Sequence, residues 1–318
     1  MPRYSVGTEN ESYNPRERIM KKVLLTTTAL VMTAGVAAAE VSISGKTQIS
    51  ITATGNGDNV LNTHADINMA LSGSYDNGMT MSTSFGVDLG READYNDDFQ
   101  LDAAEGGAQT SAPNMTIGYA GYTITADGEG LDNLYDDGNT SGNLGIAGSM
   151  GGVDFALTTN VDGGDSVNSY KLSYATGDIT ATVTGTNDHT AASVDATKIV
   201  VAYAMGDSTI TLTSDDADDT AEAITKLGVS TKINDITLTY VAASNGTAGS
   251  DMGDDWDATI AYSAGALGAS YTLDEDDRGR LVVDYDLGGG ATAFATMQAG
   301  AASDGSGDFS AMGINFKF

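Results

Sequence analysis

Most of this chain alternates apolar and polar residues with a period of two, the pattern of β-strands with two unlike faces. The clearest segment begins at Ile179, where Ile, Ala, Val and Gly at odd positions alternate with Thr at even ones. No apolar spacing of three and four residues is sustained, so we predict an all-β fold. Eighteen candidate strands begin near Glu40, Leu61, Met79, Pro113, Tyr122, Asn143, Val153, Tyr170, Ile179, Thr197, Ser208, Ile224, Ile236, Asp257, Leu267, Arg280, Ala291 and Asp308.

The connections between these segments are of two alternating kinds. Links after even-numbered segments are tight and rich in turn residues, as at Gly151-Gly152 and Asn234-Asp235. Links after odd-numbered segments are mostly longer and acidic, as over residues 91–112 and 126–141. Strands of about 10 residues in even number, with short turns at one end and long loops at the other, are typical of outer-membrane barrels. The sequence therefore predicts a transmembrane antiparallel up-and-down β-barrel.

The N-terminus carries the features of an export signal. Two lysines precede an apolar run over residues 23–32, and three alanines end at the predicted cleavage site after Ala39. A membrane anchor is the less favoured interpretation, because the apolar run is short and ends in small residues. We predict that residues 1–19 are an extension before the true start at Met20, that residues 20–39 are a signal peptide, and that residues 40–318 are the barrel domain.

The composition argues against several classes of function. A net charge of −30 argues against nucleic acid as a partner, and the absence of cysteine excludes disulfide and thiolate sites. His64 and Asp66 share one face of a strand and could form a catalytic pair, but a His that only lines a water-filled lumen is the simpler interpretation. No P-loop, HExxH or GxSxG motif is present, so we predict that the chain is not an enzyme.

Basic residues test the barrel prediction, because an Arg or Lys facing lipid costs about 2–4 kcal/mol at the bilayer midplane. When the large apolar residues set the outward face, every basic residue of the predicted barrel except Arg91 takes the inward face. Tyrosines take the outward face, as an interfacial aromatic girdle requires. The predicted lumen-lining residues include Lys46, Gln48, His64, Asp66, Lys171, Lys198, Lys226, Lys232, Arg278 and Arg280.

Carboxylates concentrate in the long links, as at Asp251, Asp254 and Asp255. Such loops attract cations generally, and they could supply oxygen ligands for Ca²⁺, although no segment has the spacing of an EF-hand. We expect no other cofactor. The alternative function from another class is a secreted, acidic, Ca²⁺-binding β-sandwich of a surface layer or adhesin.

Three stretches resemble the general-diffusion porins of alphaproteobacteria, of the Rhodobacter type. They are residues 40–45 (Glu-Val-Ser-Ile-Ser-Gly), 285–291 (Tyr-Asp-Leu-Gly-Gly-Gly-Ala) and 313–318 (Gly-Ile-Asn-Phe-Lys-Phe). The resemblance implies a homotrimer of sixteen-stranded barrels in the outer membrane of a Gram-negative bacterium. Each barrel would let small hydrophilic solutes and ions diffuse passively, surrounded by outer-membrane lipid and lipopolysaccharide. Phe316 and Phe318 also look like the signal that the barrel-assembly machinery reads.

The resemblance further implies that the third outside loop, here residues 126–141, folds inward and narrows the lumen. Its acids would face lysines on the opposite wall and create a transverse field. These predicted constriction residues are Asp127, Glu129, Asp132, Asp136 and Asp137.

The chain departs from the family pattern in two ways. His64 and Asp66 stand where the family carries arginines, which favours weak cation selectivity. Eighteen segments replace sixteen, with the surplus at residues 143–161: either two segments merge, one belongs to the inward loop, or the barrel is larger. A substrate-selective porin would need a stripe of inward aromatic residues, for which only Phe294 qualifies.

Overall fold

The computed structural model describes residues 39–54, 58–95, 100–103, 109–110, 113–135, 140–161, 167–188, 195–217, 222–299 and 308–318. The predicted extension and nearly all of the predicted signal peptide lie outside these residues, so both stay predictions. The strands are β1 (Ala39–Thr54), β2 (Val60–Ser74), β3 (Thr80–Asp94), β4 (Gln100–Ala103), β5 (Gln109–Thr110), β6 (Asn114–Tyr119), β7 (Tyr122–Asp127), β8 (Leu144–Met150), β9 (Val153–Thr159), β10 (Val167–Thr176), β11 (Ile179–Asp188), β12 (Ala196–Met205), β13 (Ser208–Ala217), β14 (Ile224–Ile233), β15 (Ile236–Ala243), β16 (Asp255–Ala264), β17 (Leu267–Asp274), β18 (Gly279–Gly288), β19 (Ala291–Ala299) and β20 (Phe309–Lys317).

Antiparallel pairing closes these strands into a ring. Each strand from β6 to β20 pairs with the next, β3 pairs with β2 and β6, and β1 closes the ring by pairing with both β2 and β20. β4 pairs only with the end of β3 in a separate ladder, and β5 continues the pairing of β6 along β3, so the described wall has eighteen strands when β5 and β6 count as one. The predicted barrel is confirmed. The alternative of a two-sheet sandwich is not supported, because the wall is one closed sheet.

The strand number taken from the family resemblance, sixteen, is wrong for the described chain. β8 and β9 account for the surplus that the sequence places at residues 143–161. They pair with each other through the Gly151-Gly152 turn, and they also pair with β7 and β10 on either side. Both are therefore wall strands, and neither belongs to an inward loop.

The two faces of the wall differ as the alternation predicts. On β12, Ile199, Val201 and Tyr203 are exposed on the outer face, while Lys198 and Val200 take the inner face. An apolar outer face is what a barrel presents to lipid. No helix in the described part of the chain is long and apolar enough to cross a membrane. The predicted outward tyrosines that are exposed are Tyr119, Tyr174, Tyr203, Tyr240, Tyr262, Tyr271 and Tyr285.

Both ends of the barrel domain meet at the short-turn end of the wall. The amide of Phe318 donates to the carbonyl of Gly45 at 3.1 Å, and the amide of Gly45 donates to the carbonyl of Phe318 at 3.0 Å. Phe316 and Phe318 are exposed on the outer face. Their predicted role as an assembly signal stays a prediction.

The turn between β6 and β7 places an alanine in the left-handed region. Ala120 has φ 52° and Gly121 has φ 85°, the pattern of a type I′ hairpin turn. We expect Ala120→Gly to raise the free energy of unfolding by about 1 kcal/mol, because an L side chain is strained at this φ. Gly121→Ala should lower it by a similar amount, since open space surrounds the added Cβ and only the φ strain remains. Urea unfolding of the barrel in lipid vesicles measures both; a destabilised Ala120→Gly variant would contradict the expectation.

Candidate functional site

Cross-strand pairing brings predicted lumen residues into rows on the inner face. Lys46 on β1 is opposite Asp66 on β2 and Lys317 on β20, and Asp66 is opposite Asp88 on β3. Directly opposite pairs lie close enough for their charges to interact. The inner face thus presents charges of both signs at one level.

His64 and Gln48 lie in the next row of the inner face and are almost completely buried. His64 Nε2 is 2.6 Å from an Asp88 carboxylate oxygen, and its Nδ1 is 3.4 Å from Glu92. Asp66 instead accepts hydrogen bonds from Asn68 at 3.0 and 3.1 Å. The catalytic pair considered for His64 and Asp66 therefore has no hydrogen bond in this structure.

The end of β3 leaves the wall and lies against the inner face, a feature that strand periodicity did not predict. β3 pairs with β2 as far as Gly90, and residues 91–94 then pair with β4 in a separate ladder. We call residues 91–95 the inner segment. The Gln48 amide oxygen accepts from the amide of Ala93 at 2.7 Å, and its nitrogen donates to the Ala93 carbonyl at 3.3 Å. Glu92 also forms an ion pair with Lys46.

Tyr95 fixes the tip of the inner segment to β18, β19 and β20. Its ring stacks on Phe294 with centroids 4.3 Å apart. Its hydroxyl donates to Asp284 at 3.1 Å and accepts from Asn315 at 3.0 Å. Ala93, Tyr95, Phe294, Phe309 and Ala311 form a small buried apolar cluster inside the barrel.

A second stretch also folds inward: the described parts of the β7–β8 loop, residues 128–135 and 140–143. The amide of Leu134 donates to Ser169 at 2.9 Å, and the hydroxyl of Tyr135 donates to Asp215 at 2.5 Å. Lys198 donates to the Tyr135 carbonyl at 3.3 Å, and its ammonium lies 4.4 Å from the centre of the Tyr135 ring. This loop therefore contacts the inner face of β10, β12 and β13.

The predicted constriction acids take different positions in and beside this loop. Asp127 is half-buried at the end of β7 and accepts from the amide of Glu129 at 2.9 Å. Glu129 and Asp132 are exposed. Asp136 and Asp137 lie outside the described residues. The opposition of these acids to the wall lysines stays a prediction.

The barrel, its apolar outer face and its charged inner face are the architecture of an outer-membrane pore. The sequence profile of the Gram-negative porins matches residues 26–305. This chain belongs to the Gram-negative porin family. It therefore resides in the outer membrane, where porins are passive channels for small solutes.

Solved porin structures have the same fold. A triple mutant of the Rhodopseudomonas blastica porin is 14% identical, with a TM-score of 0.54 over 87% of this chain and 100% of that chain. Another mutant of that porin is 16% identical, with a TM-score of 0.55 over the same shares. An engineered protein studied for asymmetric conductivity is also 16% identical, with a TM-score of 0.55 over 88% of this chain and 100% of that one. The resemblance to alphaproteobacterial porins is confirmed, although no curated protein sequence matches the chain significantly.

The remaining predicted lumen residues of this porin divide into paired and unpaired cations. Arg278 and Arg280 pair with the buried carboxylate of Asp274 at 3.0 and 3.1 Å, and Lys198 pairs with Asp215 at 3.2 Å. Arg278 precedes β18 and lies in the outer loop, whereas Arg280 lies in the strand. Lys171, Lys226 and Lys232 are exposed, and none has a carboxylate within 4 Å in the described part of the porin.

The described residues of this porin contain no group of three or more His, Asp or Glu side chains placed to hold a metal ion. Several acidic loops fall partly outside those residues, so Ca²⁺ binding stays a prediction. The family and the fold are those of a channel rather than an enzyme. The predicted absence of catalysis is a narrower statement and also stays a prediction.

Proposed function

We propose that this porin is a weakly cation-selective general diffusion pore that assembles as a homotrimer. The observation that carries the proposal is the charge of the inner face in the described strands and inner segment. The carboxylates there are Glu40, Asp66, Asp88, Glu92, Asp94, Asp127, Asp154, Asp215, Asp255, Asp257, Asp274, Asp284 and Asp286; the basic groups are Lys46, Arg91, Lys171, Lys198, Lys226, Lys232, Arg280 and Lys317.

The excess of carboxylates favours cations over anions of the same size. Charged groups that line a narrow water-filled passage raise the local concentration of the opposite ion. The preference for cations should be weak, because the lumen carries both positive and negative side chains and many of them form ion pairs. It should also fall as ionic strength rises, since salt screens the charges over about 10 Å at 0.1 M.

We base the proposals of a trimer and of lipid partners on the resemblance to the alphaproteobacterial porins. The exposed apolar outer face is compatible with both lipid and neighbouring subunits. We include lipopolysaccharide and the barrel-assembly machinery among the proposed partners, with Ca²⁺ as a proposed ligand of the acidic loops.

Bilayer recording under a KCl gradient tests the proposed function. We expect current steps in groups of three and a reversal potential that favours K⁺. Asp257→Asn should reduce the K⁺ preference and Lys226→Gln should increase it, because both side chains lie on the inner face and have opposite charge. Anion preference in the unmodified porin would overturn the selectivity, and current steps that only ever occur singly would overturn the trimer.

A further inference from the structure

The two inward stretches contact opposite arcs of the barrel. The inner segment contacts β1, β2 and β18 to β20, whereas the β7–β8 loop contacts β10 to β13. β11 is diametrically opposite β20 in the ring of eighteen strands. The lumen is therefore narrowed from two sides, and only one of these two stretches was expected from the family resemblance.

Inner-face side chains of the strands next to the inner segment are buried. Ser50 and Gln48 on β1 and Asn62 on β2 are at most 3% exposed, and Thr296 and Asn315 on β19 and β20 are at most 8% exposed. Inner-face side chains in a water-filled barrel are normally exposed to solvent. This arc of the wall is instead closed off from the lumen by protein.

The arc from β14 to β17 has a different character. Its inner face carries hydroxyl pairs, Ser230 with Thr239 at 3.0 Å and Thr259 with Thr272 at 2.7 Å. All four side chains are half-buried, and among the described residues their hydroxyls bond to one another and to neither inward stretch. The hydroxyls of this arc are therefore less covered by protein than the side chains beneath the inner segment.

We propose that the inner segment is a fixed partition that confines the permeation path to the side of the lumen lined by β14 to β17. Tyr95 holds the partition through the ring stack on Phe294 and two hydrogen bonds of its hydroxyl. The partition determines the width of the path, so that Tyr95 and Glu92 contribute to the size limit of the pore. The proposal rests on the proposed pore function.

Thiol reactivity tests the partition, because the chain contains no cysteine and any introduced thiol is unique. Ser50→Cys and Ser230→Cys are the same small change on the two arcs. A small water-soluble cationic methanethiosulfonate, applied to folded porin in vesicles, should modify the Ser230→Cys thiol at least about tenfold faster, since reaction requires exposure. Mass spectrometry measures the rates without reference to channel activity. Equal rates at the two positions would overturn the partition.

A second variant tests the role of Tyr95. Adding Tyr95→Ala to Ser50→Cys should raise the modification rate towards that of Ser230→Cys, and Tyr95→Phe should raise it less because the ring stack remains. In the bilayer, Tyr95→Ala alone should change single-channel conductance relative to the unmodified porin. Unchanged reactivity of Ser50→Cys in a folded Tyr95→Ala background would overturn the role of Tyr95 in holding the partition. A porin that shows the predicted reactivities but conducts no current would leave the partition standing and refute the pore function.

Discussion

Val201→Arg is expected to destabilise the folded porin by about 2–4 kcal/mol, the cost of a guanidinium on the lipid face near the middle of a transmembrane strand. Val201 lies at the sixth position of the ten-residue strand β12, and its side chain is 37% exposed on the outer face. Its cross-strand neighbours are Ala181 and Leu212, which offer the guanidinium no polar partner. An Arg at this depth can reach water only by distorting the lipid around it.

Val200→Arg is the matched control, because it changes the adjacent residue to the same side chain on the inner face. Val200 lies between Thr182 and Thr213, and an Arg there extends into the lumen. We expect a loss below about 1 kcal/mol, together with a shift of ion selectivity towards anions. Urea unfolding in vesicles compares the two variants. Equal destabilisation at both positions would mean that the two faces of β12 are not lipid and lumen.

Strand facing could be predicted from the sequence because it follows from a local pattern, whereas the strand number stayed open between sixteen and eighteen. The period of two assigns a face to each residue, and the tight turns mark where the chain reverses. The Gly151-Gly152 turn marks the two segments that raise the count from sixteen to eighteen, and the pairing of β8 and β9 with each other and with β7 and β10 decides in favour of eighteen. The facing of Lys46, Lys198 and Lys226 follows from the same rule.

The inner segment could not be predicted, because it depends on contacts between residues far apart in the chain. Tyr95 is tied to Asp284 and Asn315, which are 189 and 220 residues away. Within its own neighbourhood Tyr95 is an aromatic residue in an acidic link. The one local signal was Ala93 and Tyr95 alternating with acids beyond the point where β3 was expected to end.

The inward fold of the β7–β8 loop could not be predicted from strand periodicity either. Its inward fold was inferred from family resemblance, and Tyr135 rather than an acid makes its contact with Lys198 and Asp215. Tyr95 and Tyr135 together bring aromatic rings into a lumen in which the strands themselves place Phe294 and Phe309. Strand periodicity cannot predict such residues, because loops carry them inward.

Gly90→Ala is expected to destabilise the porin by about 3 kcal/mol or more, because Gly90 is the residue at which β3 turns away from the wall. Its φ is 91°, and a Cβ added there would lie 2.1 Å from the backbone oxygen of Thr63. The pairing of β2 with β3 also ends at Gly90, opposite His64. An alanine at this position would have a strained φ, and its Cβ would clash with the Thr63 oxygen. That oxygen cannot move without breaking the pairing of β2 with β3.

Gly73→Ala on β2 is the matched control, since its added Cβ meets nothing within 4 Å and its φ lies outside the positive region. It should change the free energy of unfolding by no more than about 0.5 kcal/mol. Unfolding in vesicles and the gel mobility of unheated samples compare the two variants, and a Gly90→Ala porin as stable as Gly73→Ala would contradict the role of Gly90. If the Gly90→Ala barrel does fold, the strain must be relieved by moving the end of β3, because the ring strands fix Thr63. Tyr95 would then lose its stack on Phe294, and a Ser50→Cys thiol in that background should become reactive.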